Sequence, residues 1–164
     1  MNAVEAIKSR RSVREYSKKS VPKAVLEDIV DCGRLAATAR NVQPCDFVVV
    51  TDPGRLKAVA KATGVNGPFI AEAAACVVVL CHDTKYYLED GSAATQNLIV
   101  AARAHGLGSC WVAGDKKPYA EEIRKMVGAP ATHKLIALVP MGWPEEHPQP
   151  KKRPLSEVLH WESF

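Results

Sequence analysis

Residues 90–106 have the sequence DGSAATQNLIVAARAHG, and this stretch determines the class of fold. Between Ala93 and Ala104 the apolar residues occur on nearly every side of a helix, which Gly106 would end. A helix that is apolar all round must be buried. The chain has 164 residues, and a domain of this size buries about 70% of the surface that its unfolded chain exposes. We therefore expect a single globular domain over residues 1–164 that holds this helix in its core.

Segments on both sides of this helix alternate between helical and strand patterns. Short apolar, β-branched runs predict four strands, at residues 45–51, 75–81, 109–112 and 134–141. Helical spacing, N-capping residues and closing glycines predict further helices at residues 2–10, 22–37, 52–64 and 118–127. This order predicts an α+β protein with three layers, α/β/α, around a mixed central sheet of four strands. The proline-rich end, residues 144–164, is expected to cross a surface and pack on it.

Composition argues against several classes of protein. The five cysteines are odd in number and include no CxxC pair, so we expect reduced, buried thiols rather than a disulfide framework. A zinc site built from Cys76, Cys81 and His82 is the weaker alternative, because no second ligand pair at metal spacing follows.

The longest run without a polar side chain, Ala73–Cys81, is much shorter than a membrane span. The N-terminus shows no secretory signal pattern, and we expect a cytoplasmic protein with no membrane partner.

Positive charge is concentrated near the N-terminus. The net charge of the chain is +4, and the first twenty residues carry six basic side chains against two acidic ones. Arg10, Arg11 and Arg14 follow the first predicted helix together with Ser12, and arginine pairs well with the oxygens of a phosphate monoester. Surface ion pairs are one alternative; a nucleic-acid-binding arm is a weaker one, because no aromatic residues interleave with the basic ones. A second basic cluster, Lys151–Arg153, could close over the same phosphate or form a solvated loop.

Two further segments could contact a planar heterocyclic ligand. Thr38 and Asn41 lie among small and amide-bearing residues between a predicted helix and a strand, where they could present donors and acceptors. Residues 106–114 begin and end with glycine, which allows the backbone to approach a ligand closely. Taken alone, each segment could equally be an ordinary connection between elements.

The sequence shows no sign of acid or base catalysis by side chains. No histidine stands in a setting that marks it as the base of a nucleophile, and no paired carboxylate motif is present. The GxGxxG and GxxxxGK[ST] patterns are also missing, so neither dinucleotide-fold nor P-loop phosphate binding is indicated. Any chemistry is therefore expected to belong to a bound cofactor.

Taken in order, four motifs resemble the nitroreductase family of flavoproteins over nearly the whole chain. They are Arg10–Arg14 followed by Ser20–Pro22, Asn41–Pro44 before Phe47–Val49, Gln96–Leu98 leading into Gly106–Trp111, and Met141–Pro144 followed by Lys151–Leu155. The resemblance implies the nitroreductase fold and a homodimer that holds two FMN molecules at its interface and exchanges its C-terminal segments. It also implies an enzyme that takes hydride from NADH or NADPH onto flavin N5.

The resemblance assigns the phosphate end of the FMN to both basic clusters. Arg10, Arg11 and Ser12 would hold the phosphate and the ribityl chain. Lys151 and Arg153 would complete the phosphate site. No metal ligand is implied.

At the ring end, the resemblance implies contacts from both subunits. Arg14 would lie near flavin N1 and O2, where a cation stabilises the anionic reduced flavin. Thr38 and Asn41 of the partner subunit would border the ring. The backbone at Ala113 and Gly114 would face flavin N5.

The expected function is that of an FMN-dependent oxidoreductase with a ping-pong mechanism. It would transfer hydride from NAD(P)H through flavin N5 to a small aromatic nitro compound, quinone or enone. Many family members have glutamate where this chain has Ala113 and a longer insertion than residues 83–90 allow, so we expect an open substrate site. The alternatives are a flavin-binding or flavin-consuming relative without nitroreductase activity and, less well supported, a basic nucleic-acid-binding protein.

Overall fold

The computed structural model describes all residues, 1–164. The helices are α1 (Ala3–Ser9), α2 (Lys23–Arg34), α3 (Pro53–Thr63), α4 (Tyr87–Ala104) and α5 (Ala120–Met126). The strands are β1 (Cys45–Val50), β2 (Ala75–His82), β3 (Gly108–Ser109), β4 (Val112–Ala113) and β5 (His133–Gly142). Short 3-10 helices occupy Ala39–Asn41, Gly64–Asn66, Pro68–Glu72 and Leu155–Glu157.

The helix ends follow the capping signals in the sequence. The Asn2 side chain accepts a hydrogen bond from the Glu5 amide at 2.9 Å, and the Glu5 carboxylate accepts from the Asn2 amide at 3.0 Å, which forms a capping box. Asp52 caps α3 in the same way by accepting from the Arg55 amide at 2.8 Å. Helix α2 is shorter than predicted: it ends at Arg34, and Ala37 lies beyond it, outside any helix.

The central sheet has the strand order β1-β2-β5-β3, and β4 also pairs with β5. All four strand pairings are antiparallel, and a single parallel bridge joins Ser12 to Ser109. The predicted strand 109–112 is instead two short strands, so the sheet has five strands rather than four. Cys110, at the interruption, donates its amide to Pro140 at 3.2 Å, but Pro140 has no N–H with which to return the bond.

Helices cover both faces of the sheet, as the predicted three layers require. Alternate residues of β2 enter two separate cores: Val77 and Val79 pack with α2 and α4, and Val78 and Leu80 pack with α3 and α5. Because both faces of β2 are covered, its sequence is a continuous apolar run instead of an alternating one.

The predicted buried helix is confirmed as α4, although it begins earlier, at Tyr87. Ala94, Leu98 and Ile99 are at most 4% exposed. Gly91 allows the helix to approach the sheet, since a Cβ atom at this position would lie only 2.6 Å from the Ile136 side chain. No helix of the chain has the combination of length and apolar content that a bilayer crossing requires.

The C-terminal tail, residues 147–164, differs from the rest of the chain. Its apolar side chains do not pack against a core of this chain: Leu155 is 69% exposed and Trp161 is 78% exposed. The expectation that the tail packs on a surface stays a prediction, and it would require a surface other than that of its own chain.

Candidate functional site

A basic recess lies between the end of α1, the end of α4 and the loop that follows β5. Three arginines line this recess: Arg10 and Arg11 after α1, and Arg103 in the last turn of α4. Glu146 contributes a carboxylate from the loop after β5. Three guanidinium groups against one carboxylate leave the recess positively charged, which suits a phosphate or another anion.

Hydrogen bonds hold the arginines at the end of α1. The Arg103 Nε donates to the Ser9 hydroxyl at 3.0 Å. Arg11 Nη1 donates to the carbonyl oxygens of Lys8 and Arg10, both at 2.9 Å. The Nε of Arg11 is buried and has no hydrogen-bond partner. Since a buried, unsatisfied cationic donor is costly, this atom is a specific indication that the recess accepts an anion.

The segment that carries the basic residues is fixed to the sheet. The Val13 amide donates to the Ser109 carbonyl at 2.9 Å, and the Tyr16 hydroxyl donates to the Val13 carbonyl at 2.6 Å. Burial raises the pKa of Tyr16, so its hydroxyl stays a neutral donor. Gly108 is required for the close approach, because a Cβ atom there would lie 2.7 Å from the Val13 side chain. The glycine of the sequence motif thus allows β3 to pack closely against the segment that carries Val13.

Ser12 and Arg14 lie beside the recess, around the Cys110 thiol. Burial raises the pKa of that thiol, and the charge of Arg14, a hydrogen bond with Ser12 and the charge of Arg10 act in the opposite direction. The Arg14 amide donates to the Glu146 carboxylate at 2.5 Å, and its guanidinium carbon lies 5.6 Å from the centre of the Phe69 ring. Arg10, Ser12 and Arg14 thus all act on the same thiol, although only Arg10 lines the basic recess.

Thr38 and Asn41 lie on a separate, strained loop. The Thr38 hydroxyl accepts from the Gln43 amide at 3.1 Å. Arg40, Asn41 and Gln43 all have positive φ angles, between 52° and 58°, in the left-handed region that most residues avoid. Strained backbone of this kind persists where the surroundings enforce it, and it is frequent at functional sites. None of these loop residues lines the basic recess, so one chain does not bring them to the arginines.

The backbone at Ala113 and Gly114 is engaged in the sheet to different degrees. The Gly114 amide donates to the Ile136 carbonyl at 2.9 Å, so this donor is already used. Ala113 accepts a hydrogen bond from the Tyr119 hydroxyl, and the antiparallel alternation turns its own amide away from β5. Only the Ala113 amide therefore points toward the free edge of the sheet.

The second basic cluster does not reach the recess in this chain. Lys151 and Arg153 are exposed and do not line it. Arg153 bonds within the tail instead, to the Glu157 carboxylate at 3.3 Å and to the Glu157 carbonyl at 2.7 Å. Their assignment to the phosphate site stays a prediction that would require a second chain.

Three polar residues of the site were not predicted from the sequence. Arg103 and Glu146 line the basic recess, and Asp90 is buried and accepts from the Ala39 amide at 2.9 Å, which supports the strained loop. Arg103 could have been noticed in the sequence, because it is the one charged residue inside the apolar run Leu98–Ala104. Asp90 and Glu146 carry no comparable signal, because their partners are distant in sequence.

The alternative zinc site is not assembled. Cys76 and Cys81 lie on opposite faces of β2, in different cores. The Cys81 thiol contacts Cys45 on the neighbouring strand, with 2.9 Å between the sulfur atoms. Cys76, Cys81 and His82 therefore cannot converge on one ion.

These features define an α+β protein with a basic recess at one edge of an antiparallel sheet. The model of the nitroreductase family matches residues 7–78 and 61–143. The chain belongs to the nitroreductase family.

The comparison with individual proteins covers nearly the full length of the chain. It is 32% identical to a protein of Archaeoglobus fulgidus provisionally named NADH dehydrogenase/NAD(P)H nitroreductase, over 87% of this chain and 86% of that protein. A solved structure from Bacteroides thetaiotaomicron with the same provisional name has a TM-score of 0.93 at 30% identity, covering 99% of this chain and 98% of that one. A provisionally named nitroreductase of Desulfovibrio desulfuricans, solved in complex with FMN, has a TM-score of 0.83 at 26% identity and covers 100% and 98% of the two chains.

Proposed function

We propose that this protein is an FMN-dependent oxidoreductase that uses NADH or NADPH as its reductant. The basic recess carries the proposal, because it presents three arginines and a buried, unpartnered Arg11 Nε in a member of the nitroreductase family. Solved structures of relatives support the cofactor, since one holds FMN at similar chain length. Five free cysteines fit the predicted cytoplasmic location, which stays a prediction.

The residues of the recess suit the phosphate end of FMN. Arg10 and Arg11 would bind the phosphate oxygens, with Arg103 as a third cation, and Ser12 would contact the phosphate or the ribityl chain. A charge-assisted hydrogen bond of this kind contributes about 1.5–3 kcal/mol. Glu146 would not bind the phosphate; its carboxylate accepts a hydrogen bond from the Arg14 amide.

The chemistry of hydride acceptance and donation is supplied by FMN when it is bound. The role proposed for Arg14 in that chemistry is electrostatic: its guanidinium would supply a positive charge near the part of the ring that becomes negative on reduction. The Ala113 amide, which points away from β5, would donate toward the reacting edge of the ring. The side chains of this chain thus bind, orient and stabilise, and none of them is proposed as an acid or base.

We also propose a homodimer whose subunits complete each other's sites. Thr38 and Asn41 on their loop do not line the basic recess of their own chain, and neither do Lys151 and Arg153 of the tail. The tail also exposes Leu155 and Trp161, at 69% and 78%. Apolar side chains of this kind are typical of surfaces that bind a partner.

The proposed acceptor is a small aromatic nitro compound, quinone or enone that binds where the nicotinamide has left. The connection between β2 and α4 contains only Asp83–Tyr86, so no inserted helices cover this part of the molecule. An open site favours several flat acceptors over one closely fitted substrate. A shared site for donor and acceptor predicts ping-pong kinetics.

The test begins with the purified, untagged protein. We expect a yellow protein whose extracted flavin is FMN, anaerobic bleaching of that flavin by NADH or NADPH, and parallel double-reciprocal plots when the acceptor is varied. A colourless protein that FMN cannot reconstitute would overturn the proposal. Bound FMN that neither nucleotide reduces would instead support a flavin-binding relative without reductase activity.

A further inference from the structure

Three metal-ligating side chains meet at the end of the sheet where β1 begins, β2 ends and β5 begins. Asp46, His82 and His133 come from these three neighbouring strands. Their ligand atoms all lie within 4.8 Å of one another. No other group of three potential ligands is this close in the chain.

The strand register places these side chains on one face. His82 and His133 are direct cross-strand partners, and their ring centres lie 4.0 Å apart. Asp46 is paired with Leu80, two residues before His82, so it faces the same side of the sheet. This face carries α3 and α5, and it is opposite to the face on which Cys45 and Cys81 touch.

We propose that Asp46, His82 and His133 bind a divalent ion of the zinc type and thereby tie three strands together. Two imidazoles and one carboxylate are a ligand set that zinc accepts in tetrahedral sites with an open fourth position for water. With ligand bonds of about 2.0–2.1 Å, tetrahedral ligand atoms lie about 3.3 Å apart. The present spread of these atoms is close enough for small side-chain rotations to reach that distance. The proposal does not depend on the proposed redox function.

The hydrogen bonds of His133 show how the ion would enter. His133 Nε2 lies 2.8 Å from the Asp46 carboxylate, and its Nδ1 lies 3.3 Å from the Thr132 hydroxyl. The proton on His133 Nε2, which is donated to Asp46, lies where the ion would bind. When the ion binds, the proton moves to Nδ1 and is donated to Thr132, so the imidazole stays neutral and its Nε2 lone pair is free. A partner on the second ring nitrogen is the usual arrangement of metal-binding histidines.

Accessibility and charge differ among the three ligands. His82 is exposed, the Asp46 side chain is 63% exposed, and the His133 side chain is 7% exposed. An ion can therefore approach from solvent, past His82. The recess behind His133 is lined by more basic than acidic side chains: Lys116, Lys117, Arg124 and Lys134 against Asp115 and Glu121. Its net positive charge opposes a cation, so binding relies on the three direct ligands.

The chain offers a matched control for this cluster. His105 Nε2 lies 2.6 Å from the Asp28 carboxylate, which is a second histidine–aspartate pair without a second imidazole. If an imidazole–carboxylate pair were enough, both places would bind zinc. The proposal predicts that only the three-ligand cluster does.

The test uses the untagged protein with its flavin, dialysed against a chelator and titrated with Zn²⁺ in equilibrium dialysis. We expect one ion per chain, and a zinc-dependent rise in the melting temperature because only the folded protein holds the three ligands together. His82→Gln should lower the affinity by more than about 100-fold, since even losing an outer-shell partner costs about 10–100-fold. His82 is exposed, so this variant should fold like the parent, which circular dichroism would check. His105→Gln and Cys45→Ser should bind zinc as the parent does.

X-ray absorption at the zinc edge identifies the ligands directly. Nitrogen and oxygen neighbours at about 2.0–2.1 Å, without sulfur at about 2.3 Å, would support the proposal. It would be overturned by the absence of stoichiometric binding, by binding that survives His82→Gln, or by sulfur in the first coordination shell.

Discussion

The basic segment Arg10–Tyr16 and the last part of the tail, Lys151–Phe164, each carry three arginine or lysine side chains but make very different contacts. The first segment is fixed to the sheet through Val13 and Tyr16 and has Gly108 packed beneath it. The tail makes hydrogen bonds within itself, such as Arg153 to Glu157, and it exposes its apolar side chains.

This difference shows which part of the proposed site one chain forms alone and which part requires another surface. The basic recess assembles from elements far apart in sequence, because the sheet and α4 hold them. The tail has no such support in its own chain, and burying its apolar side chains requires another surface. The following experiments compare the two regions, and the largest effect is expected for the tail.

Removing residues 150–164 should abolish dimer formation and FMN retention while the domain stays folded. The tail contributes no buried residue to the core, so the loss would come from missing intersubunit contacts. Light scattering and the flavin content after dialysis measure the two effects, and far-ultraviolet circular dichroism checks the fold. Lys152→Ala in the full-length chain is the mild control. A truncated protein that remains dimeric and fully loaded with FMN would contradict the exchange of tails.

Arg14→Ala should slow flavin reduction by NAD(P)H more than it weakens FMN binding. A preorganised donor that stabilises developing charge is worth about 2.7–4 kcal/mol, or about 100- to 1,000-fold in rate. Arg14 is exposed, so the lower end is expected. Stopped-flow reduction at equal FMN loading measures the rate, with Lys23→Ala on the surface of α2 as a charge-matched control. Unchanged reduction rates would limit Arg14 to a structural role.

Arg10→Ala and Arg11→Ala should each raise the dissociation constant for FMN by about 10- to 150-fold, because each removes a charge-assisted contact to phosphate. The secondary structure should be retained, since both residues lie outside the helices and strands. Fluorescence titration of the apoprotein with FMN gives the constants. Lys8→Ala removes a neighbouring charge from α1 and serves as the control. If both arginine variants bound FMN like the parent, the basic recess would not be the phosphate site.

Gly108→Ala should destabilise the fold by about 1–3 kcal/mol, because the new methyl group meets Val13 and pushes the basic segment away from the sheet. Urea denaturation measures the free energy of unfolding. Gly54→Ala is the matched control near the start of α3, where the nearest atom to a new Cβ is the Asp52 carboxylate at 3.1 Å, and it should change stability by less than about 1 kcal/mol. Equal effects of the two substitutions would show that the approach of Val13 to Gly108 is not tight.

The amino-acid sequence determined the presence and order of the helices, three of the strands and the layers. Capping residues such as Asn2 and Asp52 and the apolar run of β2 act over a few residues, so local patterns were sufficient to predict them. Arg10, Ser12 and Arg14 could also be predicted to share a site, because they are neighbours in the chain. The motifs in order were sufficient to indicate the family.

Only the tertiary structure decided which distant residues meet. The register of β5 places Pro140 opposite the predicted strand 109–112, which is interrupted at that point. Helix packing and the course of the chain after β5 bring Arg103 and Glu146 to the basic recess. The same register gathers Asp46 and His82 with a histidine of a third strand. Periodicity in a sequence reports the face of an element, whereas the neighbours of that face depend on pairings between segments that lie tens of residues apart.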